Sequence, residues 1–103
     1  MGQLLGKRAL VTGGGQGIGK AIALGLLRSG CDVVINYYSD EKGAGEVVAA
    51  AKSLGRTAAS FQADLSCEEA AIGLVRDAVG VLGGLDILVN NAGGLVARKT
   101  LGE

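Results

Sequence analysis

The stretch Thr12-Gly13-Gly14-Gly15-Gln16-Gly17-Ile18-Gly19 follows an apolar run, Ala9-Leu10-Val11, and precedes a segment with helical spacing. Strand, glycine turn and helix in that order form a turn suited to a pyrophosphate. A backbone without side chains approaches phosphates closely, and the N–H groups at a helix start supply donors and partial positive charge. Glycines alone say less, because a tight strand-to-helix turn also uses them. Residues 14–20 fit the GxxxxGK of triphosphate-binding loops as well, but Ala21 stands where the hydroxyl that holds Mg²⁺ belongs, which argues against that chemistry.

Outward from this turn, strand-like runs at 8–12, 32–37, 58–63 and 86–90 alternate with helical segments, the pattern of a parallel sheet. The spacing predicts three inward helix faces. The first comprises Ile18, Ala21, Ile22, Gly25 and Leu26, the second Ala44, Val47, Val48, Ala51 and Leu54, and the third Ile72, Val75, Val79 and Leu82. Gly30, Gly55 and Gly83 stand where left-handed helix ends favour glycine. Ser66-Cys67-Glu68-Glu69 has the form of a capping box. Right-handed crossovers then give strand order 3-2-1-4 and bring residues 12–19 and 90–93 to one crevice.

At 103 residues the chain suits one domain, 1–103, and is short for a doubly wound enzyme with both a cofactor half and a substrate half. Ten basic and ten acidic residues with 49% hydrophobic content exclude a disordered polyelectrolyte and give no nucleic-acid footprint, so a small-molecule partner is expected. No apolar run approaches the roughly 20 residues that span a bilayer, and residues 1–8 lack the order of a signal peptide. A cytoplasmic location without a membrane partner is therefore expected. Cys31 and Cys67 lack CxxC spacing, and the chain has no histidine, so both are expected as small, at least half-buried side chains and no metal site is expected.

Asn90-Asn91-Ala92-Gly93 closes the run Ile87-Leu88-Val89. Its small residues let a cofactor lie against the strand end while the amides bond ribose or backbone; an Asn-rich turn is the simpler alternative. Asp64 follows the third strand at the same sheet edge, either as an acceptor for an adenine amino group or as a solvated turn residue.

Together, TGGGQGIG at 12–19, the pair Asp64-Leu65 and NNAG at 90–93 resemble the short-chain dehydrogenase/reductase family, especially its 3-oxoacyl-[acyl-carrier-protein] reductase and glucose dehydrogenase group. The resemblance runs from Lys7 to about Gly94. It implies a Rossmann-type α/β fold, here an incomplete doubly wound sheet lacking its C-terminal half. It also implies that Gly13, Gly15, Gln16, Gly17 and Ile18 hold the pyrophosphate, Asp64 and Leu65 the adenine, and Asn91, Ala92 and Gly93 the ribose side; Gly14, in the same turn, is expected to bind the cofactor too.

The nicotinamide cofactor is chosen at the end of the second strand, where an acid would bind a ribose 2′-hydroxyl and repel a 2′-phosphate. That edge carries Asn36, Tyr37, Tyr38 and Ser39, with no acid before Asp40; Asp32 stands at the opposite end of the strand. Asn36, Tyr38 and Ser39 are therefore expected to accept a 2′-phosphate and NADP is expected, with NAD as the alternative.

The family resemblance implies catalysis by a serine with a tyrosine and a lysine four positions later, in a homo-oligomeric parent enzyme. Tyr38 and Lys42 have that spacing but fall at the adenosine edge, so no residue of this chain is expected to be catalytic. The chain is expected to be the cofactor-binding part of an oxidoreductase acting on hydroxyl or carbonyl substrates, inactive alone. The alternative is a non-catalytic dinucleotide-binding module, or a remnant completed by another chain.

Overall fold

The computed structural model describes residues 4–13, 15 and 17–91. In chain order its elements are β1 (Arg8–Thr12), α1 (Gly17–Arg28), β2 (Asp32–Tyr37), α2 (Glu41–Ser53), β3 (Ala58–Gln62), α3 (Glu68–Leu82) and β4 (Ile87–Asn90). The four strands form one parallel sheet ordered β3-β2-β1-β4, as the crossover rule requires.

Side chains alternate across a strand, so each strand feeds two cores. On one face Ala9, Val11, Val33 and Ile35 pack with Ala23 and Leu27 of α1 and with Ala44, Val47 and Ala51 of α2. On the other, Leu10 and Val34 pack with Leu74 and Ala78 of α3. Covering on both faces explains why β1 and β2 read as nearly continuous apolar runs rather than alternating ones. The helix ends expected at Gly30, Gly55 and Gly83 all have positive φ, and the Gly83 N–H donates to the Val79 carbonyl at 2.8 Å.

Two helix faces differ from the periodicity. In α1 the buried residues are Gly19, Ala23 and Leu27, whereas Ile18 is 72% exposed and Ala21 and Gly25 also face out. In α3 they are Leu74 and Ala78, whereas Ile72, Val75 and Val79 are exposed. Both helices carry apolar residues around most of their circumference, so spacing alone leaves the rotation open, and close packing on the sheet selects it. In α2 the expected face is inward except for Leu54, which is exposed at the C-cap.

The capping box does not form. Cys67, exposed rather than half-buried, is the N-cap of α3 and makes no side-chain cap bond. Ser66 turns back instead, its N–H and Oγ–H both donating to Asp64 Oδ1 at 3.0 and 2.7 Å. A local Asx turn has outcompeted the cap. Strand ends shift by one residue: β3 stops at Gln62, and β4 starts after Asp86. The Asp86 side chain clamps Arg8, accepting from its backbone N–H at 3.0 Å and from Nε at 2.9 Å.

Candidate functional site

Parallel strands bring their carboxyl ends to one edge, and the register sets Thr12 beside Asn90. Thr12 Oγ1 accepts the Asn91 N–H at 2.8 Å and lies 3.2 Å from Asn90 Oδ1. Two segments 78 positions apart are thereby joined at that edge. Asn90 Nδ2 is buried there without a partner among the described residues.

At Gly13 (φ +67) the chain leaves β1, and at Gly17 (φ +57) it enters α1; both are left-handed conformations that glycine adopts without strain. A Cβ at Gly17 would face open space, and no acidic residue occupies the first turn of α1. Gly19 serves a different purpose: a Cβ there would overlap the Gly13 carbonyl and stand 2.5 Å from Asn91 Nδ2. Its missing side chain lets the start of α1 close against both the turn and the end of β4. The result is a helix start with few side chains about Gly17 and Gly19, which suits a phosphate group.

Asn36 was expected to present its side chain at the ribose edge, but it is only 2% exposed. Its Oδ1 accepts the Gly13 N–H at 2.9 Å, and its Nδ2 donates to the Ala63 carbonyl at 3.1 Å. It fixes the turn from behind, linking the ends of three neighbouring strands. Tyr38 (65% exposed) and Ser39 do face solvent at that edge. Asp40 folds beneath them as the N-cap of α2, its Oδ1 accepting the Gly43 N–H at 2.9 Å.

Asp64 is exposed beyond β3, and its two bonds from Ser66 hold the carboxyl below its ordinary range. Leu65 packs its side chain against the α3 core. Gly14, Gln16, Ala92 and Gly93 lie outside the described residues. Among the described residues no group of three or more His, Cys, Asp or Glu could hold a metal ion, and no helix is long and apolar enough to cross a membrane.

Two residues here were missed from sequence. Asp40 was legible as an N-cap, an Asp immediately before a helix with Glu41 in its first turn. Gly43, where a Cβ would overlap the Gly15 carbonyl oxygen, carries no local signal, because that neighbour stands 28 positions earlier.

The family model for short chain dehydrogenase matches residues 7–102. The chain belongs to the short-chain dehydrogenase family. A hydroxynaphthalene reductase of Aspergillus fumigatus is 51% identical to this chain over 90 residues, covering 87% of this chain and 33% of that protein. Glucose 1-dehydrogenase 2 of Bacillus subtilis is 46% identical over 90 residues, 87% of this chain and 35% of that one. The crystal structure of a short chain dehydrogenase from Burkholderia cenocepacia in complex with NADP superimposes with a TM-score of 0.87 at 50% identity, over 89% of this chain and 38% of that one. The chain thus spans about a third of the length of the curated relatives it matches.

Proposed function

We propose that this chain is the cofactor-binding part of an NADP(H)-dependent oxidoreductase acting on a hydroxyl or carbonyl substrate. The observation that carries the reading is the junction of Gly13, Gly19 and Asn91, which sets a side-chain-poor helix start against the end of β4. Bound there, a nicotinamide dinucleotide would supply the hydride that the protein's own groups lack. Gly13, Gly14, Gly15, Gln16, Gly17 and Ile18 would cradle its pyrophosphate, the α1 N–H groups acting as donors. Asn91, Ala92 and Gly93 would border its ribose side. Because both Ser66 bonds fall on Asp64 Oδ1, an adenine amino group would meet Oδ2.

Tyr38 and Ser39 would receive the 2′-phosphate, and Asn36 would serve by holding the turn. The NADP complex of the Burkholderia relative supports this preference. A second reading, NAD, is favoured by one observation: the Asp40 carboxylate already occupies the start of α2, where a 2′-phosphate would seek positive charge. No residue of the chain is assigned to proton transfer; Tyr38 and Lys42 stand at the adenosine edge.

Fluorescence titration with NADPH and NADH decides between the cofactors. Binding about tenfold tighter for NADPH is the expected result; comparable affinities would sink the preference, and no saturable binding of either would sink the dinucleotide reading. Saturable binding without reduction of a carbonyl panel by the same protein is the expected outcome of the companion assay.

A further inference from the structure

Gly15 is buried in the connection between β1 and α1, and Gly43 is buried in the first turn of α2. They face each other. A Cβ on Gly43 would overlap the Gly15 carbonyl oxygen and lie 3.0 Å from Asp40 Oδ2. A Cβ on Gly15 would come 2.9 Å from the Asp40 carbonyl oxygen and 3.3 Å from Tyr37 Cβ. Neither glycine has a positive φ, so the demand is for space and not for backbone freedom.

Glycine is a poor helix residue, and alanine at position 43 would favour α2 locally. The contact with Gly15 gives position 43 its requirement. Gly45, on the opposite side of the same helix, is exposed and has nothing within 4 Å of its Cβ position, so it reports helix propensity alone. Other bonds hold α2 against this seam: Asp40 caps Gly43, and Lys20 of α1 pairs with Glu46 of α2. Tyr38 and Ser39 immediately precede the capped turn.

We propose that Gly43 is a positioning residue for cofactor binding: by letting α2 close onto Gly15, it sets the distance between the pyrophosphate turn and the adenosine-ribose edge. The proposal rests on the dinucleotide reading above. A side chain at 43 forces either the turn or the start of α2 to move, and the two halves of one ligand then no longer fit together. Packed backbones respond to such an overlap by shifting as units.

NADPH titration and thermal melting of the wild type, Gly43→Ala and Gly45→Ala test it. Gly45→Ala should melt slightly higher with unchanged NADPH affinity. Gly43→Ala should remain folded and bind NADPH roughly tenfold more weakly, the response expected of overpacking that displaces a binding loop. Wild-type affinity in Gly43→Ala would overturn the proposal, and a wild type that binds neither NADPH nor NADH would overturn it together with the dinucleotide reading.

Hydrogen exchange on the wild type provides a readout independent of variant folding. Adenosine 2′-monophosphate, which has no 5′-phosphate to touch the turn, should slow exchange in both 38–43 and 13–19. Protection confined to 38–43 would show that the seam does not couple them and would overturn the proposal.

Discussion

At the scale of single residues, the crevice depends on side chains that are absent and on one that is hidden. Gly19→Ala would drive a Cβ into the Gly13 carbonyl and against Asn91. We expect it to destabilise the fold by about 1–3 kcal/mol, the usual cost of overpacking, and to abolish saturable NADPH binding, read by urea unfolding and fluorescence titration. Asn36→Ala would leave the part-buried Gly13 N–H and the Ala63 carbonyl without their bonds to the amide. A loss of about 2–3 kcal/mol in urea unfolding is expected; a loss near zero would refute the role of Asn36 as an internal latch. Asn36 also shows why its position was misjudged from sequence. An amide at the end of a strand suits both a ligand and a turn, and only the adjacent strand ends show which partner it takes.

At the scale of elements, α3 offers the clearest contrast between pattern and packing. The apolar spacing of Ile72, Val75 and Val79 satisfies a helical stripe, yet the sheet takes Leu74 and Ala78. Leu74→Ala should therefore cost about 2–5 kcal/mol. Ile72→Lys, at a side chain already 59% exposed, should change stability by no more than about 0.5 kcal/mol. Reversal of that order in urea unfolding would restore the face expected from periodicity. Element identity and order were legible because strands and glycine-ended helices are encoded by neighbouring residues. Helix rotation was not legible, because Glu68–Leu82 has apolar residues on nearly every side and the choice rests on which ones meet Leu10 and Val34.

At the scale of the whole molecule, Arg8 and Asp86 tie the start of the sheet to its β4 edge across 78 positions. The Arg8 bonds hold the Asp86 carboxyl below its ordinary value of 3.8. The folded state thus favours the ionised form, so the stabilisation is fully present above the unfolded pKa and is lost as pH falls through the lower, folded value. The stability gap between wild type and Asp86→Asn should accordingly be constant at neutral pH and shrink below about pH 4. Added salt should narrow it too, since the pair is partly exposed; urea midpoints that differ equally at pH 7 and pH 3 would rule this linkage out.

From its sequence alone, the protein's β-α alternation, its strand order and its glycine turn were determined, because each is written in short-range spacing or in the handedness of local crossovers, while its family was legible as a resemblance carried by the motifs at 12–19, 64–65 and 90–93. Tertiary structure decided which faces α1 and α3 bury, that Asn36 points inward, that Ser66 bonds Asp64 instead of capping α3, and that Gly19 meets Asn91 while Gly43 meets Gly15. These outcomes depend on contacts among residues distant in the chain or on competition between bonding partners, and packing resolves both only once the sheet has assembled.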